Sequence, residues 1–218
     1  MKSSILSPFE NLPYFTLGGF LQISGEAVAG ASHARIALHR WAKAGHIIPL
    51  KKGLYMHRRF YEQHRQEAAF SSVVSAILLP QSYLSLEYVL QQHSILTEIT
   101  YPVTAVTLKN TRLITNSLGI FSFRHLRRDL YYGFQFSDAY GIPYAQASLP
   151  KALFDYLYLR PLPVGLTSRR LDLAEELRLN LEEFTPAERA EFAGFIAASG
   201  GQKMHWILKN LEGNIWRP

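Results

Sequence analysis

Residues 32–59 concentrate groups that bind anions. Ser32, His33, Arg35, His39, Arg40 and Lys43 lie on one stretch, and Lys51, Lys52, Arg58 and Arg59 follow closely. On a helical wheel, Ala34, Leu38, Trp41 and Ala42 share one face. Ser32, Arg35, His39 and Lys43 point away from it, and Arg40 sits at its flank. Ile36 falls on the polar side, which suits an apolar contact to a thymine methyl. An arginine fork can bridge guanine O6 and N7, whereas Lys43 reaches phosphate as a point charge. An ordinary amphipathic surface helix would show nearly the same wheel. The neighbouring residues favour the nucleic-acid reading. Lys51 and Lys52 are expected at the tip of a small hairpin, where they meet the flanking backbone or minor groove, and Arg58 and Arg59 add backbone contacts. Pro49 suits an edge strand because it has no amide to donate.

Other reactive side chains do not converge in the same way. The sequence has no cysteine, which excludes disulfides, thiolate catalysis and cysteine-ligated metal. It has no GxGxxG, no Walker loop and no HExxH. His57 and His64 lack the spacing and company of a zinc site, and read as solvated members of the basic patch. Lys151 and Asp155, four apart on a helix, read as a surface or half-buried ion pair worth at most ~0.5 kcal/mol. Glu175, Glu176, Glu182 and Glu183 read as a solvated acidic face. Tyr131, Tyr132, Tyr156 and Tyr158 read as core or interface aromatics. The expectation is therefore no catalytic residues, no metal and no cofactor.

The elements that must position the basic groups follow from pattern. Thr16–Ser24 reads as a short helix, and Glu26–Gly30 as a second small one. Ser32 looks like the N-cap of a helix over Ala34–Ala44, with Gly45 as its C′ stop. Two strand-like pieces, Ile47–Leu50 and Gly53–Met56, flank Lys51-Lys52. Three helices and then a basic hairpin is the order of a winged helix-turn-helix. Beyond it, Tyr61–Leu79 and Leu84–His93 read as helices. A strand-rich stretch covers Val103–Leu108, Arg112–Thr115, Gly119–Phe123, Phe134–Phe136 and Ile142–Ala145. Helices resume over Lys151–Leu159, Ser168–Leu179, Pro186–Ser199 and Gln202–Leu211. The third carries a capping box, Thr185 with Glu188, and Pro186 at N1. Strands and helices come in separate runs, so the fold class is α+β: a winged helix-turn-helix over 1–65, then a mixed α/β domain over 66–218.

Charge divides at the same place. The chain of 218 residues has a formal net charge of +6. Residues 1–65 hold nine Lys/Arg against three acids, five of the eight His lie there too, and the remainder is balanced. A localised positive field attracts polyanions and speeds their association. With 48% apolar and 18% charged residues, there is ample material for a core. The longest apolar run, Val73–Leu79, is too short to cross a membrane. The first fifteen residues hold Pro8, Glu10 and Pro13 and no apolar signal core, so the expected location is the cytoplasm.

Several segments resemble one family in order and spacing. Arg35–Tyr55, with Leu38, Gly45, Leu50 and Gly53-Leu54-Tyr55, is similar to the winged-helix start of AbiEi-type antitoxins, the transcriptional regulators of type IV toxin–antitoxin systems. Ser82-Tyr83-Leu84-Ser85-Leu86-Glu87, then Leu90 and His93, resembles the family's SY(L/V)SLExAL-type helix start. Thr111-Arg112, Thr115, Leu118-Gly119, Phe121, Phe123-Arg124 and Gly133-Phe134 resemble its central strands. Lys151-Ala152-Leu153-Phe154-Asp155-Tyr156-Leu157-Tyr158-Leu159 resembles its KALxDxLYL helix. The likeness spans about residues 15–160. It departs at Pro150, where Glu is usual, and at Tyr88-Val89, where small residues are usual. The resemblance implies binding of double-stranded DNA at the protein's own promoter. It also implies a C-terminal domain that counteracts a nucleotidyltransferase-like toxin. The other open reading is a protein-interaction module whose winged helix is structural.

Overall fold

Residues 3–25, 30–96, 102–161 and 171–216 are described by the computed structural model of the chain. They form a mixed α+β structure in two compact units. The first comprises residues 1–80 with 114–120 and 138–144, and the second the rest. The first unit thus runs past residue 65, where the basic excess stops.

In the first unit, a 3₁₀ helix over Ser3–Phe9 leads into β1 (Phe15–Thr16) and α1 (Leu17–Ser24). Thr16 starts α1 by accepting the Gly19 amide on its hydroxyl, which offsets two glycines in the first turn. Then come α2 (Gly30–Lys43), β2 (Ile47–Lys51), β3 (Leu54–His57), α3 (Arg58–His64) and α4 (Phe70–Leu78). The three strands form a sheet in the order β1-β3-β2. The 3₁₀ helix, α1, α2 and this sheet share a core that includes Leu6, Phe9, Phe15, Phe20, Leu38, Trp41 and Ile47. Trp41 meets Phe20 edge-on at 5.7 Å, which fixes α2 against α1.

Several boundaries differ from the pattern reading. α2 begins at Gly30, so Ser32 lies inside its first turn and is not its cap. Of the segment read as a second helix, 26–29 fall outside the described residues and Gly30 belongs to α2. Gly45 does stop α2. At φ 79° its amide reaches Ala42 and the His46 amide reaches Trp41, the paired bonds of a Schellman turn. The single helix expected over Tyr61–Leu79 is two, α3 and α4. Arg65-Gln66-Glu67 offers no apolar side to bury, and His64 Nδ1 lies 2.7 Å from the Glu67 carboxylate across the break.

A six-stranded sheet runs in the order β6-β7-β5-β4-β9-β8; β4, β5 and most of β7 belong to the second unit, and parts of β6, β8 and β9 to the segments 114–120 and 138–144 of the first. The strands are β4 (Ser82–Leu84), β5 (Val103–Thr107), β6 (Arg112–Asn116), β7 (Gly119–His125), β8 (Phe134–Ala139) and β9 (Ile142–Ala147). β4 runs antiparallel to β5 and parallel to β9, and β5 runs parallel to β7. The stretch read as a helix over Leu84–His93 is therefore strand β4 followed by α5 (Glu87–Gln92). Backbone pairing on both sides of β4 overrides its local helical spacing. Leu86 makes the corner at φ 60°, ψ −142°.

Helix α6 (Leu149–Leu159) is capped by the Ser148 hydroxyl, so it starts two residues before the expected Lys151 and takes Pro150 into its first turn. α7 (Leu173–Leu177) is shorter than the helix read over Ser168–Leu179, whose residues 168–170 fall outside the described residues. α8 (Pro186–Ser199) has the expected capping box, and α9 (Gln202–Asn214) follows the Gly200-Gly201 break. Among the described residues no helix is long and apolar enough to cross a membrane.

Candidate nucleic-acid interface

Helix α2 buries Ala34, Ala37, Leu38 and Trp41 and turns its other side outward. Ser32, His33, Arg35, Ile36, His39, Arg40 and Lys43 are all exposed, with Ile36 at 52%. Arg35, Arg40 and Lys43 carry no side-chain hydrogen bond or ion pair to any described residue. With no partner among the described residues, these three cations present their donors outward on one exposed face. An exposed isoleucine among them gives up about 1 kcal/mol or more of burial that a core position would return.

The hairpin next to α2 is shaped by a bulge and a glycine. β2 and β3 pair Ile47 with His57 and Lys51 with Leu54, and the register slips so that Leu50 is the extra residue. The carbonyl of Leu50 accepts from Asn116 Nδ2 at 3.0 Å. Lys52-Gly53 close the turn, with Gly53 at φ 76°. Lys52 is exposed there.

The other basic residues read as contacts are held by the protein itself. Lys51 Nζ donates to the Leu78 carbonyl at 2.6 Å, away from the hairpin tip. Arg58 Nε donates to the Gly45 carbonyl at 3.1 Å and lies over the Tyr61 ring, so it ties the end of α2 to α3. Arg59 pairs with Glu10 at 2.7 Å. His57 and His64, read as solvated, are also engaged. His57 caps α3 by accepting the Arg59 amide, and its pKa is pushed down by burial and by the charges of His46 and Arg59, against the pull of Glu10. A neutral ring suits that acceptor role. His64 sits between Phe60 and Tyr140, and the Tyr140 hydroxyl donates to Glu67 at 2.7 Å.

The largest departure from the sequence reading is in the second unit. Lys151 and Asp155 are fully buried, at 2.8 Å from each other. Asp155 Oδ2 also accepts from Tyr83 and Ser85, both at 2.8 Å, and Lys151 Nζ donates to the Leu130 carbonyl. The rings of Phe154 and Phe195 flank the ammonium at 4.7 and 5.2 Å. Burial pushes the Lys151 pKa down, and burial with the adjoining carboxylate pushes the Tyr83 phenol far up. The i, i+4 spacing was visible; its burial was set by β4, whose strand state the local pattern hid. Among the described residues no three His, Asp or Glu side chains gather as metal ligands. No protein-family model matches the chain, and no curated protein matches it either.

Proposed function

We propose that residues 1–65 form a winged helix-turn-helix that binds double-stranded DNA. In this reading α1 and α2 are the helix pair, α2 enters the major groove, and the β2–β3 hairpin is the wing. The observation that carries it is the outward face of α2, where Arg35, Arg40 and Lys43 stand exposed around Ile36 with no partner among the described residues. The element order supports it, as does β1, which pairs Phe15 and Thr16 with Tyr55 and Leu54 of β3 to anchor the hairpin. Lys52 at the turn is the wing's phosphate contact. Lys51, Arg58 and Arg59 hold the domain together instead. Together with the resemblance in segment order, this supports an AbiEi-type antitoxin acting in the cytoplasm. Such a protein represses its own promoter and, through residues 66–218, counteracts a nucleotidyltransferase-like toxin.

Anisotropy titration with a duplex from upstream of the protein's own gene, across about 50–200 mM salt, tests the DNA reading. Lys52→Ala is expected to weaken binding to all sequences and to flatten the log K against log salt slope by ~0.9; Lys51→Ala leaves the slope unchanged. Arg35→Ala or Arg40→Ala costs ~1–3 kcal/mol at one or two base pairs if the contact is a bidentate one to guanine. Salt-independent binding, or none at low salt, would overturn the reading in favour of an interaction module. Growth rescue of cells expressing the nucleotidyltransferase-like neighbour in the same operon tests the antitoxin role.

A further inference from the structure

A second feature lies wholly within the second unit, in a cleft of about 440 Å³ between the face of the sheet, the start of α5 and the end of α6. Its polar lining includes Glu87, Thr104, Ser122, Arg124 and Arg160, and Leu86, Pro102 and Leu159 supply apolar wall. The strands explain the placement. Thr104 pairs with Ser122 and Val106 with Arg124, so alternate residues of β5 and β7 face the same way, toward α6.

Cations gather at the C-terminal end of α6 with no carboxylate partner among the described residues. Arg124 Nη2 donates to the Leu159 carbonyl at 3.3 Å. Lys203 Nζ donates to the carbonyls of Tyr158 and Arg160 at 2.8 and 2.6 Å. The Arg160 guanidinium lies over the Tyr156 ring at 4.7 Å and hydrogen-bonds its hydroxyl. Backbone carbonyls at a helix C-terminus explain part of this gathering. They do not neutralise three charges, and none of the three enters an ion pair with a described residue. Burial, and after it the neighbouring Arg160 charge, pulls the Lys203 pKa below its ordinary value.

Opposite this cluster, the half-buried Glu87 carboxylate receives no hydrogen bond from any described residue. The residue before it, Leu86, is buried and held at φ 60°, a conformation that costs an L side chain energy. That corner is what brings Glu87 to the cleft. Strain held in place beside open charged groups is characteristic of ligand sites.

We propose that this cleft binds a small phosphate monoester whose body carries hydroxyl or amino donors, of the sugar-phosphate or nucleoside-monophosphate class. Arg124 and Arg160 present planar forks that match phosphate oxygens, and Lys203 adds charge behind them. Glu87 accepts from the donors on the ligand's body. Leu86, Pro102 and Leu159 cover its apolar surface. This site is separate from α2 and does not depend on DNA binding.

Calorimetric titration of the full-length protein, without DNA, tests it with ribose 5-phosphate, adenosine 5′-monophosphate, adenosine and inorganic phosphate. The two phosphate monoesters are expected to bind, and the better of them defines the class. Adenosine, which lacks the anion, is expected not to bind. Arg160→Gln or Arg124→Gln should weaken binding roughly tenfold or more. Arg124 and Arg160 also support α6, so Glu87→Gln supplies a variant at a side chain with no hydrogen-bond partner among the described residues. It should lower affinity for the phosphate monoesters and leave that for inorganic phosphate unchanged. The proposal fails if neither monoester binds the unaltered protein at millimolar concentration. It fails equally if both arginine variants, folded by circular dichroism, bind as tightly as the parent. Equal affinity for inorganic phosphate and ribose 5-phosphate in the parent would also overturn it, because Glu87 and the apolar wall would then contribute nothing.

Discussion

Lys151 and Asp155 each have zero side-chain exposure, so neither charge can return to water without unfolding. Taking one away strands the other in a low-dielectric interior, whereas removing both leaves only volume to fill. Lys151→Met and Asp155→Leu are each expected to cost about 3–5 kcal/mol, and the double variant much less than their sum. A double-mutant cycle in urea measures this; additive losses would mean the two charges act independently. His57 gives a second residue-scale expectation. Its folded pKa lies below its unfolded value near 6.5, so the unfolded chain binds the proton more readily. Its contribution to stability is complete above pH 6.5 and is lost as the pH falls through the folded pKa. His57→Ser keeps an N-cap oxygen without the titration. Its urea midpoint should therefore fall less than the parent's between about pH 6.5 and 5. Parallel pH profiles for the two proteins would refute that assignment.

At the scale of elements, legibility in the sequence depended on whether the signal was local. Gly45 and the Thr185 capping box are short-range chemistry, and each lies where its residues say it should. The hairpin turn expected at Lys51-Lys52 falls one residue later, at Lys52-Gly53, because the bulge at Leu50 carries Lys51 into β2 opposite Leu54. The outward face of α2 was legible for the same reason, since one helix's periodicity decides it. β4 was not legible, because Ser82–Leu84 is a strand only through its pairing with β5 and β9. The burial of Lys151 and Asp155 and the roles of Tyr83 and Ser85 were hidden with it. Lys51, Arg58 and Arg59 carried the right charge for a contact, but their internal acceptors come from distant segments. Two glycines at positive φ separate local strain from packing. At Gly53 an added Cβ would meet nothing within 4 Å, so Gly53→Ala costs only the strain of the turn, about 1 kcal/mol. At Gly133 the same Cβ would lie 2.6 Å from a Phe195 ring carbon and 3.2 Å from the Lys151 side chain. Gly133→Ala should therefore destabilise by at least about 1–3 kcal/mol more than Gly53→Ala. Chemical denaturation of the two variants checks this order, and equal losses would show that the Phe195 ring yields freely.

At the scale of the whole molecule, the first unit is discontinuous in the chain. Residues 1–80 supply the α2 face and the hairpin, whereas 114–120 and 138–144 complete the packing. Asn116 satisfies the carbonyl left open by the Leu50 bulge. Tyr140 packs edge-on against Phe60 at 5.3 Å and donates to Glu67, which holds the Glu67 carboxyl below its usual pKa. Tyr140 occupies a left-handed position, φ 56°, beside Gly141 at φ 71°, as a tight two-residue turn between β8 and β9 requires. A fragment of residues 1–80 therefore keeps every proposed DNA contact but loses the cover over Phe60 and the donor to Leu50. It is expected to bind the same duplex with the same salt slope as the full chain, since the slope counts phosphate contacts and not stability. It should unfold at lower urea than the full-length protein's first unit, and should not rescue cells from the toxin. Tyr140→Ala in the full chain isolates one part of that loss. It should shift the urea midpoint in the same direction by a smaller amount and leave the DNA salt slope alone. A fragment as stable as the intact unit would show that residues 114–120 and 138–144 add no stability. A fragment that folds but has a shallower salt slope would place DNA-contacting groups beyond residue 80.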